Sequence, residues 1–492
     1  MSDHLPVLQV IIPLLAAPLC LLLRRRPLPW LVALLASAAT LFIAVLLLYR
    51  VLEGGGISYH LGDWQPPWGI EYRIDAVNAY VLLLVALIGL VVLLYAPASV
   101  AYEIDAPRHY LFYAAYLLCL TGLLGIAITG DVFNVFVFLE ISSLSSYALI
   151  SLGRNRRALL AAYRYLIMGT IGASFFLIGI GLLYMATGTL NMADLAQRLD
   201  GLESSRTVLT AFAFLTVGLC IKAAFFPLHS WLPNAYTYAP SVVTAFLAAT
   251  ATKVSIYLCL RFIFTLFGAE YVFGALGLDT IIVALALAAV FVASLVAVYQ
   301  TDLKRLLAYS SVAQIGYMML GLGLASLDGL TGGIVHLFNH GLTKGALFLV
   351  LGAVFLRLNS LELTDLRGLG RRMPVTMFGF VVGGLGLIGV PLTAGFISKW
   401  YIVLAALERG WWPVAALVLM GSLIAVVYVW RVVETAYFEA PPKDAPPVKE
   451  APLSMLVPMW LLLGASVYFG VFTKLSVGAA RQAAAALLGV SP

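Results

Sequence analysis

Charged side chains lie in the middle of apolar segments of this sequence, where they are energetically expensive. A lysine at the centre of a membrane helix costs about 2.5–3.5 kcal/mol on insertion scales. Lys222 and Lys253 occupy two consecutive apolar segments, and Pro227 follows Lys222 by five residues. A proline inside a helix breaks it, and a broken helix at membrane depth must be packed in protein or line a wet cavity. Both lysines are too deep for their stems to reach the membrane surface, so the pattern favours an ion path.

Glu140 lies at a similar depth in an earlier apolar segment. It follows Gly130 by ten residues, which is about 15 Å at helical rise and half of a ~30 Å hydrocarbon core. A buried carboxylate is either protonated or paired, and the lysines at similar depth are Lys222 and Lys253. We therefore predict a Glu140–Lys222 pair that takes part in the path. A purely structural ion pair is the alternative.

Three titratable residues share one face of a later apolar segment, VHLFNHGLTKGALFL. His336, His340 and Lys344 are spaced i, i+4 and i+8 and rise about 12 Å along the helix. A lone histidine would fit a satisfied core residue, whereas three aligned titratable groups predict a proton relay. His229, just past the first break, fits a proton entry group or a loop residue equally well.

A second broken helix is predicted in the glycine-rich segment GGLGLIGVPLTAGFISKW, which carries Lys399. This segment also matches the G-x-G-x-x-G pattern of dinucleotide-binding folds, but no strand precedes it and no βαβ unit surrounds it. The four cysteines are scattered singly through apolar segments and form no zinc or iron–sulfur motif. The sequence therefore predicts neither a cofactor nor a metal.

The candidate relay consists of seven residues: Glu140, Lys222, Lys253, His336, His340, Lys344 and Lys399. Hard cations such as Na+ prefer oxygen ligands, and this series offers one carboxylate among ammonium and imidazole groups. We expect it to carry protons, with any sodium path mainly in partner subunits. A passive spacer that keeps these charges as packing relics, and a carrier acting alone on a small organic substrate, are alternatives from other functional classes.

The composition requires a membrane to surround these residues. The chain has 492 residues, is 62% hydrophobic and 11% charged, and has a mean hydropathy of +1.01. Such a chain could not cover its apolar surface in water, so we predict an all-α polytopic membrane protein. Counting apolar runs of about 20 residues predicts about fourteen transmembrane helices. They lie near 5–23, 29–50, 74–96, 110–129, 131–152, 159–186, 207–229, 240–266, 277–299, 303–325, 330–357, 374–405, 412–438 and 452–474.

The charges of the connecting loops predict the orientation. The basic connections all fall on one side of this count, at 24–26, 154–157, 304–305 and 367–372. The opposite loops are acidic or balanced, and include Asp194, Asp200, Glu203 and Glu270. The positive-inside rule then places both termini outside the cytoplasm. The first apolar run precedes its arginines, which is the order of a membrane span and not of a cleaved signal.

An internal repeat organises the chain. GTLNMADLAQ (188–197) is similar to NSLELTDLRG (359–368) at an offset of 171 residues. Five spans separate the copies, so the second copy is inverted relative to the first, and inverted repeats with broken helices are typical of transporters. We predict three N-terminal helices in 1–109, a first five-helix repeat in 110–270, an inverted repeat in 276–438, and a cytoplasmic linker with a last helix in 439–492.

These motifs resemble a known family. GDVFNVFVFLEISSLSSYAL, KAAFFPLHSWLPNAY, the Lys253 helix, HLFNHGLTKGALFL and the Lys399 segment are similar to the antiporter-like subunits of respiratory complex I and of Mrp cation/proton antiporters. The resemblance covers roughly residues 75–430. It implies fourteen helices in two inverted bundles, and a Glu–Lys pair, a central lysine and a terminal lysine along a hydrated axis. Length and the Glu140 motif are most similar to the D-type subunit of Mrp antiporters.

The resemblance implies a proton-translocating subunit of a multisubunit Na+/H+ antiporter. The alternative is a proton-pumping antiporter-like subunit of a complex I-like NADH/quinone oxidoreductase or of a membrane-bound hydrogenase. Either function implies other membrane subunits as partners and a bacterial or archaeal inner membrane as the location. It also implies that the chain itself is an ion-transport subunit and not an enzyme, although under the alternative it would serve a redox-driven complex.

Overall fold

The computed structural model describes residues 4–202, 204–442 and 447–491. Glu203 of the predicted external loop and residues 443–446 of the predicted linker lie outside the described residues. The N-terminal part contains three long helices and a two-stranded antiparallel hairpin, with β1 residue Ile57 paired to β2 residue Ile74. These elements are α1 (Leu5–Leu22), α2 (Leu28–Gly54), β1 (Ile57–His60), β2 (Glu71–Ile74) and α3 (Ala76–Glu103).

The two repeats follow along the chain. The first contains α4 (His109–Ile128), α5 (Val132–Ser151), α6 (Arg156–Thr187), α7 (Met192–Leu199), α8 (Arg206–Lys222), α9 (Trp231–Tyr238) and α10 (Ser241–Leu260). The second contains α11 (Leu278–Val298), α12 (Leu303–Gly323), α13 (Leu327–Leu358), α14 (Leu369–Arg372), α15 (Pro374–Ile388), α16 (Ala394–Glu408) and α17 (Trp412–Tyr437). The chain continues with α18 (Leu453–Val471) and α19 (Lys474–Leu488).

The predicted all-α polytopic fold is confirmed. Within the described residues, 12 helices are long and apolar enough to cross a membrane. The remaining two predicted spans, 207–229 and 374–405, are the two interrupted ones, because α8 is followed by α9 and α15 by α16 after a non-helical stretch. The fourteen predicted spans therefore correspond to 12 continuous helices and two broken ones.

The first break is closed by a tryptophan. α8 ends at Lys222, and Ala224 adopts a positive φ of 53°. The helix ladder stops here, and the Nε1–H of Trp231 on α9 donates to the Ile221 carbonyl at 2.9 Å. The Ile221 carbonyl also accepts the Ala224 N–H at 3.1 Å, so the tryptophan adds a side-chain donor at the end of α8, which helps an irregular segment persist inside a helix bundle.

The repeat is visible in matching contacts at the predicted offset. Asp131 forms an isolated β-bridge with Asn191, and Asp302 forms one with Glu362, so both partners differ by 171 positions. The same two aspartates cap α5 and α12 through the N–H groups of the third helical residue. α6 and α13 also begin and end 171 positions apart. Five membrane crossings separate the start of α5 from the start of α12, so the copies are inverted. The domain boundaries themselves stay a prediction.

The basic loops meet at one end of the bundle. Arg157 and Arg305 line the same pocket, and the neighbouring pocket is lined by Arg154 and Lys304. The predicted linker returns to this end, since Glu439 pairs with Arg367 at 2.7 Å. The loops 154–157 and 304–305 thus lie side by side, as expected of one membrane face. Which face is cytoplasmic stays a prediction.

α19 is a helix that the sequence patterns did not predict. The region 439–492 was expected to hold a linker and one last helix, but a further helix follows α18 and packs against α3 and α13. Its buried face is made largely of alanines, which permit close helix approach without an apolar run long enough to register as a span. Arg481 also pairs with Asp328 at the start of α13, with 3.0 Å between Nη1 and Oδ1.

Candidate functional site

The predicted Glu140–Lys222 pair is present in the structure. The Lys222 Nζ lies 3.6 Å from the Glu140 Oε1 and donates a shorter hydrogen bond, of 2.8 Å, to the Ser143 hydroxyl. The lysine side chain is 5% exposed and the glutamate side chain 27% exposed. α5 therefore presents both Glu140 and Ser143 to the lysine, from positions one turn apart. The ion pair is long, and the Glu140 Oε1 that forms it is buried without a hydrogen-bond partner among the described residues, although the side chain as a whole is partly exposed.

The break in the helix places Lys222 at a particular electrostatic position. Lys222 is the last residue of α8, where the carbonyl end of the helix dipole favours a cation. Beside it lies a small polar cavity of about 20 Å³, enough for one water molecule. Its polar lining comes from α5, α6, α8 and α10, through Ser142, Ser143, Ser146, Tyr165, Lys222 and Ser255. The cavity links the first lysine to the helix that carries the second.

Lys253 is fully buried in α10. Its Nζ donates to the Ala248 carbonyl and lies 3.3 Å from the Thr252 hydroxyl. Among the described residues, no carboxylate lies within ion-pair distance of this ammonium group. A lysine held only by neutral oxygens has less to lose on giving up its proton than one held by a carboxylate.

The three titratable residues of α13 face the core on one side of the helix, as predicted. His336 bridges two other helices, with Nε2 2.9 Å from the Gln314 Oε1 on α12 and Nδ1 2.8 Å from the Ser398 hydroxyl on α16. The ring of His340 stacks on that of His336 at 5.9 Å. Lys344 donates to the Leu307 carbonyl of α12 at 2.8 Å.

His340 is the least restrained member of this group. It is 3% exposed, and neither ring nitrogen has a hydrogen-bond partner within the described part of the chain. The charges of Lys253, Lys344 and Lys399 all act on it. A buried imidazole without fixed hydrogen-bond partners can accept a proton and pass it on.

Lys399 closes the second break. Its Nζ donates to the carbonyls of Leu387 and Ile388 at 3.0 and 2.9 Å, and these are the last carbonyls of α15. It also donates to the Ser422 hydroxyl of α17 at 2.9 Å, and its ammonium group lies 4.6 Å from the centre of the Tyr317 ring. Both broken helices therefore bring a lysine to the carbonyl end of their first half.

The site contains residues that sequence reasoning did not single out. Gln314, Ser398, Ser143 and Ser422 are the polar partners of the predicted residues. Gln314 could have been found, because an amide inside an apolar helix needs a partner. The serines give no such signal, since a serine hydroxyl bonds readily to its own helix backbone.

Lys304 was predicted to be a charge in a basic loop, but the structure buries it. It is 5% exposed, donates to the Ala239 carbonyl at 2.9 Å, and has its Nζ 4.0 Å from the Glu103 Oε2. Glu103 in turn accepts the backbone N–H of Ser241 at the start of α10. This second buried pair was missed because both residues stand at helix ends, where charges are ordinarily solvated.

His229 fitted either a proton entry group or a loop residue on sequence grounds. In the structure its side chain is half-buried, and its ring stacks on that of Phe226 at 5.3 Å. Its role as a proton entry group stays a prediction.

Known proteins share the sequence pattern and the fold of this chain. The sequence profile of the family described as NADH:quinone oxidoreductase/Mrp antiporter, TM, matches residues 129–425. The chain is 43% identical to the N subunit of NADH-quinone oxidoreductase from Desulforudis audaxviator, across 96% of this chain and 97% of that protein. It is 30% identical to the D-type subunit of the Na(+)/H(+) antiporter from Alkalihalophilus pseudofirmus, across 89% of this chain and 87% of that protein.

A solved structure gives the same result for the fold. A chain of the Mrp complex from Dietzia sp. DQ12-45-1b superposes with a TM-score of 0.91 at 26% identity, covering 99% of this chain and 97% of that one. The relatives thus include both classes of complex that the motifs indicated. The oxidoreductase relative shares more identity with this chain than the antiporter relative shares, so the predicted preference for the antiporter class has no support over the alternative.

Proposed function

This chain belongs to the NADH:quinone oxidoreductase/Mrp antiporter transmembrane family, and we propose that it passes protons through the membrane part of a multisubunit complex. The observation that carries the proposal is the series of buried titratable side chains from the Glu140–Lys222 pair to Lys399. Such groups are expensive in a membrane and are kept where a path needs them. Among the lysines of the series, Lys222 alone has a carboxylate partner within the described residues, and the others are held by neutral oxygens.

The Glu140–Lys222 pair is the proposed switch. With the pair closed, the carboxylate holds the lysine in its charged form. With the pair open, the buried ammonium keeps only the Ser143 hydroxyl and the carbonyl end of α8, so the proton can leave. The water-sized cavity toward Ser255 gives that proton a way to α10 and Lys253.

The rest of the relay is proposed to run from Lys253 to Lys399 through α13. His340 and Lys344 take the proton beside Lys253, and His336 passes it toward α16 through the Ser398 hydroxyl. Lys399 directly follows Ser398 in α16 and ends the series at the second break. Each residue here has a proposed role in proton transfer and none has a role in binding a metal or a cofactor.

Two complexes fit this chain. A Na+/H+ antiporter is favoured by the Glu140 motif and by the 30% identity to an antiporter relative. A redox-driven proton pump is favoured by the 43% identity to a quinone oxidoreductase relative. In the antiporter, the sodium path would lie mainly in partner subunits, because Glu140 is the one carboxylate of the relay. Under both, the chain is a multi-pass inner-membrane protein with both termini outside the cytoplasm, and the chemistry of any redox reaction resides elsewhere.

Proton uptake into vesicles tests the proposal. The complex, purified with its native partners and reconstituted, is energised in turn by a Na+ gradient and by NADH with a quinone, and acidification is followed with a fluorescent pH probe. The driving force that works identifies the complex, as do the co-purified subunits. Glu140→Gln and Lys222→Ala each remove most of the signal if the relay operates. A complex that pumps at the wild-type rate with both substitutions contains this chain only as a spacer.

A further inference from the structure

An arginine interrupts an otherwise apolar, exposed face of α6. Leu160, Ile167 and Ile171 are 51%, 43% and 42% exposed, and Arg164 lies between them on the same face, with spacings of i, i+4, i+7 and i+11. Exposed leucine and isoleucine at this spacing form a surface that contacts lipid chains. Within the described residues, no carboxylate lies within ion-pair distance of Arg164. A guanidinium group in that position is available to an anion from outside the chain.

The depth of Arg164 fits the lipid headgroup layer. α6 has 32 residues, about 48 Å, whereas a bilayer measures ~30 Å across the hydrocarbon and about 40–45 Å with its headgroups. Arg164 follows Arg156, the first residue of the helix, by eight positions, which is about 12 Å. The arginine therefore stands near the boundary between headgroups and acyl chains, and the apolar stripe continues below it.

Two further arginines converge on the same place. Arg157, Arg164 and Arg305 line a cavity of about 250 Å³ together with Asn234 and Tyr238, and no acidic residue belongs to its described lining. We call it the arginine pocket. Arg157 stacks over the Tyr238 ring at 5.8 Å, and Arg305 donates to the Asn234 Oδ1 at 3.2 Å. Both contacts orient a guanidinium group through a neutral partner, so neither contact neutralises its charge. The Asp302 carboxylate, which caps α12, attracts Arg305 from beyond ion-pair distance.

The neighbouring cations provide a contrast within the same membrane face. Arg154 pairs with Asp105 at 3.2 Å, and Lys304 lies 4.0 Å from Glu103. These two are neutralised by the protein itself, although they line the adjacent pocket. Among the described residues, none of the three guanidinium groups of the arginine pocket has a carboxylate within ion-pair distance, in contrast to Arg154 and Lys304.

We propose that the arginine pocket binds the phosphate of an anionic phospholipid, whose acyl chains lie along Leu160, Ile167 and Ile171. Guanidinium groups bind phosphate oxygens through paired charge-assisted hydrogen bonds, and basic pockets between membrane helices suit anionic headgroups. A zwitterionic lipid carries its own cation and gains less, so phosphatidylglycerol is preferred over phosphatidylcholine. The proposal is independent of the proton path, because none of the relay residues lines this pocket.

Lipid retention measured by native mass spectrometry tests the site. The full-length chain is purified, exchanged into phosphatidylglycerol or phosphatidylcholine, and the lipid molecules that remain bound are counted as lipid is diluted. We expect retention of phosphatidylglycerol to weaken at least about tenfold in Arg164→Gln, because one charge-assisted contact is lost. Arg156→Gln is the matched control: it removes an exposed arginine of the same helix that does not line the pocket, and should retain the lipid like the wild type. Unchanged unfolding temperatures without added lipid show that both variants fold.

Three outcomes overturn the proposal. Equal retention of phosphatidylcholine and phosphatidylglycerol means that the arginines do not select an anionic headgroup. Stabilisation by inorganic phosphate alone, at the concentration that works for phosphatidylglycerol, means a soluble-anion site. Release of a partner subunit from the native complex by Arg164→Gln, with phosphatidylglycerol retention unchanged, means that an acidic protein segment occupies the pocket.

Discussion

Replacement of Lys222 by arginine separates a proton-transferring lysine from a fixed charge. Arginine keeps the positive charge next to Glu140 and can still donate to Ser143, so a merely structural ion pair survives. A guanidinium group cannot be deprotonated in proteins. Its ordinary pKa exceeds that of lysine by about 2–3.4 units, so the neutral form becomes roughly 100- to 2,500-fold rarer, equivalent to about 3–5 kcal/mol. We expect Lys222→Arg to transport protons no better than Lys222→Ala.

The structure also supplies the steric limit and the control for this experiment. The cavity beside Lys222 has a volume of about 20 Å³, which is the space of one water molecule. The longer arginine side chain is expected to fill this space. Lys304→Arg is the matched control, because Lys304 is another buried lysine near a glutamate but does not belong to the proposed relay. It should lose little proton transport.

The assay is proton uptake by the reconstituted complex, after co-purification has shown that each variant assembles. A Lys222→Arg complex that assembles and transports at the wild-type rate would refute the proposed switch, and the relay would have to begin at Lys253. Equal losses in Lys222→Arg and Lys304→Arg would attribute the effect to the bulk of arginine and not to its retained proton.

Four further results are expected. His340→Ala should lower proton uptake by at least about tenfold, because it removes a titratable group on which the charges of Lys253 and Lys344 both act, and an unchanged rate would exclude His340 from the path. Cysteine placed at Arg156 should resist a membrane-impermeant label added from outside, whereas one at Glu270 should react; the reverse would invalidate the topology. Ala483→Leu should destabilise the chain by about 1–3 kcal/mol in thermal unfolding, since Ala483 is fully buried in the α19 contact. Vesicles containing this chain alone should show no Na+/H+ exchange, and robust exchange would contradict a role that depends on partners.

The sequence alone determined the features that depend on distance along the chain. Span positions follow from runs of about 20 apolar residues, and the depth of Glu140 or Lys222 follows from counting residues at helical rise. The pairing of these two residues could be predicted because very few opposite charges share that depth. The 171-residue offset was visible in two short segments, and the bridges at Asp131 and Asp302 repeat it.

Only the tertiary structure decided which helix faces meet. The Gln314 and Ser398 contacts of His336 come from residues 22 and 62 positions away, and no local pattern specifies that approach. The burial of Lys304 depends on Glu103 of another helix and on the Ala239 carbonyl, neither of which is encoded in its own loop. α19 escaped prediction because its 15 residues are fewer than the about 20 of a span, and its alanines become a buried face only where α3 and α13 lie close by. Hydropathy and periodicity indicate which face of each segment contacts solvent or lipid. The side-chain contacts of the proposed proton path form between separate segments, so they depend on how those segments pack.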